Sequence, residues 1–155
     1  MSATLRMDTP AFERMFSEAE QSAIIDAIEF YIEYLDLEHR VDNISFLPLE
    51  YIDGVTYTMG SCDHEPGKTD HSYVIDFVGL AEKEAGRNLA AVLTTIAHEI
   101  IHVKHYVLDN LDEAYKLNQM AGKKKIPYSE TWWEKEAFGR QEELLLAFIE
   151  KISRD

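Results

Sequence analysis

The amino-acid sequence predicts an α+β domain: an N-terminal helix, a small antiparallel sheet of three strands, a long apolar helix and a C-terminal helix. Three observations lead there. Apolar residues recur every three or four positions between Ile24 and Leu35, alternate between about residues 44 and 78, and return to helical spacing from Leu89. Turn signals, Asp53-Gly54 and Glu65-Pro66-Gly67-Lys68, fall inside the alternating stretch. No repeat, low-complexity tract or linker interrupts the chain, so residues 1–155 read as one domain, long enough for a core of its own.

Each element has a local reason. Thr9-Pro10 starts a short helical turn, with proline at the first helical position. Ser17-Glu18-Ala19-Glu20 matches a capping box, and Ile24, Ile25, Ile28, Tyr31, Ile32 and Leu35 mark one face of the following helix to about Leu37. Residues 44–52 are apolar with Pro48 inside, which fits an edge or irregular strand. Val55-Thr56-Tyr57-Thr58-Met59 alternates and is rich in β-formers. Residues 72–78 alternate again, with Tyr73, Ile75 and Phe77 opposite Val74, Asp76 and Val78. Asn88 caps a helix running to about Val107, whose apolar face is Leu89, Val92, Leu93, Ile96, Ile100 and Val103. A short helix is expected within residues 109–121 and a basic loop over 122–127. Thr131-Trp132-Trp133-Glu134 opens a last helix reaching about Ile152.

Composition narrows the function. The formal net charge of −14 argues against binding a nucleic-acid phosphate backbone or an anionic membrane surface, and its plain consequence is solubility. A single cysteine, Cys62, allows no internal disulfide and fits a reducing compartment. The first 13 residues carry no apolar signal-peptide core and no stretch is long enough to span a bilayer, so a cytoplasmic protein is expected.

The chemistry lies in His98-Glu99-Ile100-Ile101-His102, within the long apolar helix. Four residues of α-helix turn about 400°, so the two imidazoles lie one turn apart within roughly 40° of each other. Two nitrogen ligands then meet one ion, with Glu99 a step round the helix, where it can take a proton from an activated water. Zinc suits imidazole and carboxylate ligands and tolerates an open fourth position, so one zinc per chain is expected.

A catalytic zinc needs a third protein ligand, for which His105, Glu134 and Glu136 are the candidates. His105 lies about 10 Å along the helix from His98, too far to share an ion, and is expected near the ligands or at the surface. Glu134 shares its helical face with Ala137, Phe138, Gln141 and Leu145; Glu136 shares its face with Gly139, Arg140 and Glu143. The first set looks buried and the second solvated, so Glu134 is favoured, with Glu136 the alternative.

His98-Glu99-Ile100-Ile101-His102, flanked by Thr95-Ile96-Ala97 and Val103-Lys104 and followed by Trp133-Glu134-Lys135-Glu136-Ala137, resembles the gluzincin type of zinc metallopeptidase. It is similar in particular to the minimal SprT-like metallopeptidases often found in bacteriophages. The resemblance spans roughly residues 72–148. It implies a zincin-like fold, Glu134 as third ligand, and a strand before the motif helix that pairs with an extended peptide, for which residues 73–77 are the best match. It also implies a phage setting, with the host cytoplasm as the place of action. The family often has Asp or Asn after the alanine to brace a ligand histidine. Here that position is Phe138, so bracing falls to Asp76 or His105.

The expected activity is hydrolysis of a peptide bond in a peptide or protein substrate. His98, His102 and Glu134 hold zinc, Glu99 acts as general base, and Tyr128, Tyr115 or His105 stabilises the oxyanion. Two rivals stand beside it: a zinc-retaining binding or regulatory domain without proteolysis, and a metal-free acidic host-interaction protein. Cys62, His64 and His71 could form a second metal cluster, or Cys62 could block the zinc, but an ordinary polar turn is the simpler expectation. Lys123-Lys124-Lys125 reads as a solvated loop, and at least one of Trp132 and Trp133 as packing against the motif helix.

Overall fold

The computed structural model describes residues 3–50, 60–68, 71–80 and 89–154. In chain order the elements are β1 (Thr4–Met7), α1 (Thr9–Met15), α2 (Glu18–Tyr34), β2 (Asn43–Glu50), β3 (Gly60–His64), β4 (Ser72–Leu80), α3 (Leu89–Leu108), α4 (Leu111–Met120) and α5 (Trp132–Arg154). Short 3-10 turns at Gly122–Lys124 and Tyr128–Glu130 lead from α4 into α5.

The α+β class holds, but the sheet differs from the three antiparallel strands expected. It has four strands in the order β1-β2-β4-β3, with β1 parallel to β2, β2 parallel to β4, and only β3 antiparallel, against β4. The reason is connectivity. Between β1 and β2 the chain passes through α1 and α2, and between β2 and β4 it passes through β3, so both returns are crossovers that leave neighbours parallel. The expected hairpin at Asp53-Gly54, the strand at 55–59 and the Asn88 cap lie outside the described residues. The turn after β3 is as expected, with Gly67 at φ 75°, a conformation glycine adopts without penalty.

Local signals explain the helices. Asp8 caps α1 by accepting from Ala11 N, with Pro10 in the first turn. Both halves of the capping box form at α2: Glu20 N donates to Ser17 Oγ at 3.2 Å, and Ser17 N to Glu20 Oε1 at 3.0 Å. The chain leaves α2 through Asp36 at φ 57°, and Leu37 N then donates to Ile32 O at 2.9 Å.

The helices collect on the sheet face that carries Ile44, Phe46, Tyr73, Ile75 and Phe77, all at most 1% exposed. Against these pack Ile96, Ile100 and Ile101 of α3 and Ile24, Ile28 and Tyr31 of α2. The buried Tyr31 hydroxyl donates to Leu93 O at 3.2 Å, which ties α2 to the start of α3. α5 is the helix that packs most extensively on α3, and the fully buried Ala137 lets the two approach closely. The Lys123-Lys124-Lys125 run is exposed. Among the described residues no helix is long and apolar enough to cross a membrane.

Candidate metal centre

His98 and His102 sit one turn apart on the α3 face that meets α5, and Glu134 enters from the first turn of α5. The three residues are buried, at 8%, 4% and 0% exposure, and offer one ligand atom each, all within 4.8 Å of one another. Nε2 of His98 and Nε2 of His102 each lie 2.9 Å from the same atom, Glu134 Oε1. The helical face that favours Glu134 over Glu136 in the sequence is therefore the face that reaches the histidines.

What surrounds the rings decides where their protons are. His98 Nδ1 lies 2.8 Å from Gln141 Oε1, an oxygen that only accepts, so Nδ1 carries the hydrogen and Nε2 the lone pair. On the other side, Lys104 Nζ donates to Glu136 Oε1 at 2.8 Å, and the same oxygen lies 2.8 Å from His105 Nε2. His105 Nε2 is thus the donor. In the neutral ring its Nδ1 accepts from His102 Nδ1, 3.2 Å away, which leaves the lone pair of His102 on Nε2. Two imidazole lone pairs and a carboxylate oxygen then converge with no proton of their own between them. The arrangement is compatible with a bound cation.

Three further facts agree. Glu134 Oε2 is buried and has no hydrogen-bond partner among the described residues, a second acceptor on the same carboxylate. Burial favours the uncharged form of Glu134, yet the His102 and His98 hydrogen bonds outweigh it and hold the carboxyl at about 2. Burial disfavours the charged His98 ring, but Glu134, Glu99 and Gln141 outweigh it and raise its pKa. In the metal-free site both shifts favour a positive charge shared between the His98 ring and Glu134, which a bound cation would replace. A divalent ion taking imidazole and carboxylate fits this donor set.

Glu99 is 6% exposed and lies beside β3: a β-carbon at Gly60 would lie 3.2 Å from Glu99 Oε2. Burial pushes its carboxyl up to about 8; the His98 charge opposes this, and Glu134 and Asp76 add to it. Tyr128, on the turn before α5, donates its hydroxyl to Glu134 Oε1 at 2.9 Å. The buried Thr131 hydroxyl holds that turn by donating to Tyr128 O at 2.8 Å.

The other expected roles divide. His105 is fully buried and braces His102, as one of the two options anticipated, whereas Asp76 pairs with Ser61 Oγ and braces neither histidine. Gln141 braces His98 and was not expected to; its signal was its place on the inward face of α5, seven residues after Glu134. Phe138 packs its ring edge-on to His98, centroids 4.6 Å apart. Glu136 does not reach the two ligand histidines but pairs with His105 and Lys104. Both nitrogens of His105 are engaged, which removes it as an oxyanion donor. The Tyr115 hydroxyl pairs with Tyr106, and its ring packs on Trp133. Trp132 packs against His105, as expected for one of the tryptophans.

Cys62, His64 and His71 are not a metal cluster. Cys62 is half-buried on β3, burial holds its thiol well up, and His64 pairs with Asp112 at 2.8 Å. The only groups of three or more possible ligands among the described residues are His98, His102 and Glu134, and His105, Asp109 and Glu136. Residues 73–77, expected to pair with a peptide, belong to β4, which lies between β2 and β3 and has no free edge. Comparison of the chain with protein-family models, with curated proteins and with solved structures gave no match.

Proposed function

We propose that this protein is a zinc-dependent peptidase of the gluzincin type, with His98, His102 and Glu134 holding the ion and Glu99 as general base. The observation that carries this reading is the convergence of two imidazole lone pairs and a carboxylate oxygen in a buried site, beside a further buried carboxyl on the same helix. When bound, zinc supplies Lewis acidity and brings the pKa of a water towards neutrality.

The chain's own residues do the rest. In its ionised form Glu99 takes a proton from the attacking water as the water oxygen bonds to the peptide carbonyl carbon. It returns that proton to the amide nitrogen as the C–N bond breaks, giving a carboxylic acid and an amine. The Tyr128 hydroxyl, already within hydrogen-bond reach of the cluster, is the donor best placed for the developing oxyanion. Gln141 and His105 keep both histidine lone pairs turned inward.

β3 is the strand that can seat the substrate. It is an edge strand, no described strand pairs with its outer side, and its Gly60 end runs beside Glu99. An extended peptide laid along it would bring a carbonyl to the base through main-chain pairing alone. The mixed sheet with one antiparallel edge beside the motif helix supports a zincin-like architecture.

Native mass spectrometry of wild type, Glu134→Ala and Glu136→Ala, followed by cleavage of an unfolded protein substrate, tests the proposal. At saturating zinc, one zinc per chain in wild type, lost in Glu134→Ala but kept in Glu136→Ala, with cleavage that needs Glu99, is the expected result. A chain that takes up no zinc would leave an acidic binding protein. Zinc without cleavage would leave a metal-holding binding domain.

A further inference from the structure

The second carboxylate of the Glu134-Lys135-Glu136 triplet has no place in the chemistry above, yet it is not an idle surface group. We propose that Glu136, acting through His105, is a positioning residue: it fixes the tautomer and ring orientation of His102 and so sets how tightly the site holds its metal. The inference rests on the metal reading of His98, His102 and Glu134.

Glu136, His105 and Asp109 also have ligand atoms within 4.8 Å of one another and could be taken for a second metal site. The cation there is already built in. Lys104 Nζ lies 2.8 Å from Glu136 Oε1 and 3.3 Å from Asp109 Oδ2, from a side chain only 19% exposed. Facing the ammonium, Glu136 Oε1 accepts, and an accepting oxygen dictates everything inward of it. His105 Nε2 has to donate, so its Nδ1 accepts; His102 Nδ1 has to donate, so its Nε2 is left bare towards Glu134.

The geometry allows little alternative. His105 is fully buried, and its ring lies edge-on to Trp132 with centroids 5.1 Å apart, which fixes its plane. The residues sit at three-residue spacing on α3, so the helix itself brings the two Nδ1 atoms together. A histidine standing between ligand and carboxylate is one link longer than the direct pairing that ligand histidines ordinarily make. The two ligands are also backed unequally, His98 by the neutral amide of Gln141 and His102 by the charge of Glu136 relayed through a ring.

Glu136 can be removed without opening the core: its side chain is 31% exposed, and Lys104 keeps Asp109. The test uses the full-length chain as wild type, Glu136→Ala, Glu136→Gln and, as a control on the same helix, Glu143→Ala. Zinc affinity is read by competition with a chromophoric chelator, imidazole protons by 1H–15N spectra of the zinc-loaded proteins, and folding by the melting temperature of the zinc-free proteins. Glu136→Ala is expected to weaken zinc binding about 10- to 100-fold and to lose the protected His102 Nδ1–H resonance. Glu136→Gln, which keeps an accepting oxygen without the charge, should recover part of both, and Glu143→Ala should match wild type. Affinity of Glu136→Ala within twofold of wild type, or weaker binding with the His102 resonance unchanged, would overturn the relay alone. Wild type that takes up no zinc would overturn the metal reading and the relay with it.

Discussion

Gly60 lies against Glu99 so closely that a β-carbon at position 60 would sit 3.2 Å from Glu99 Oε2, and 2.9 Å from both Asp76 O and Thr95 Cγ2. Asp76 O is main chain of the paired strand β4 and cannot step aside, so even one methyl group must shift β3 against β4 and also crowd Thr95 and the Glu99 carboxyl of α3. Gly60→Ala is expected to cost about 1–3 kcal/mol, the usual range for overpacking a tight site. Chemical denaturation would measure it. Stability equal to wild type would mean that β3 and α3 are free to part, and would remove the close approach as a constraint on the base.

In the proposed mechanism Glu99 is the base and not one of the three metal-holding residues, so binding and turnover should separate cleanly there. Glu99→Gln keeps the shape of the side chain and loses its ability to accept a proton. Turnover of a protein substrate is expected to fall by about 10²–10⁴-fold, with zinc stoichiometry unchanged. Cleavage at the wild-type rate in this variant would reassign the base.

Much of this site was legible because it is helical. In α3 the three- and four-residue spacing placed His98 and His102 together, and in α5 the same spacing separated Glu134 from Glu136, since Ala137 is fully buried, Gln141 reaches His98 and Leu145 is partly buried against the core. Phe138, counted with that inward set, instead stands 60% exposed across the edge of His98. The sheet was less legible. Gly60-Ser61-Cys62-Asp63-His64 has no β-branched or aromatic residue and becomes a strand only by pairing with β4. Likewise Thr4-Leu5-Arg6-Met7 pairs in parallel with β2 across two intervening helices. Those pairings are long-range, and no local pattern announces them.

Ligand binding should register in stability, because an ion that binds only the folded chain adds RT ln(1 + [L]/Kd). With free zinc about a thousandfold above Kd, the gain is about 4 kcal/mol. At roughly 2–4 °C per kcal/mol for a chain of this size, the melting temperature should rise by on the order of 10 °C. The zinc-free chain and Glu134→Ala with zinc should both lack that rise. An equal rise in Glu134→Ala would place the stabilising ion elsewhere.

Tyr128 is the last group whose role the geometry constrains. It stands mostly in solvent, 62% exposed, yet its hydroxyl reaches the buried carboxylate oxygen on which both histidines converge. Desolvation of the hydroxyl end, and then the Glu134 charge and hydrogen bond, raise its pKa above the ordinary tyrosine value, so the hydroxyl is a donor at neutral pH. A donor needed only for the developing oxyanion strengthens the transition state and not the ground state. Tyr128→Phe is therefore expected to lower kcat by about 10²–10³-fold with little change in KM or in zinc affinity. The opposite split, KM raised and kcat kept, would make Tyr128 a contact for bound substrate. A loss of zinc affinity would make it a support for Glu134, the group it touches.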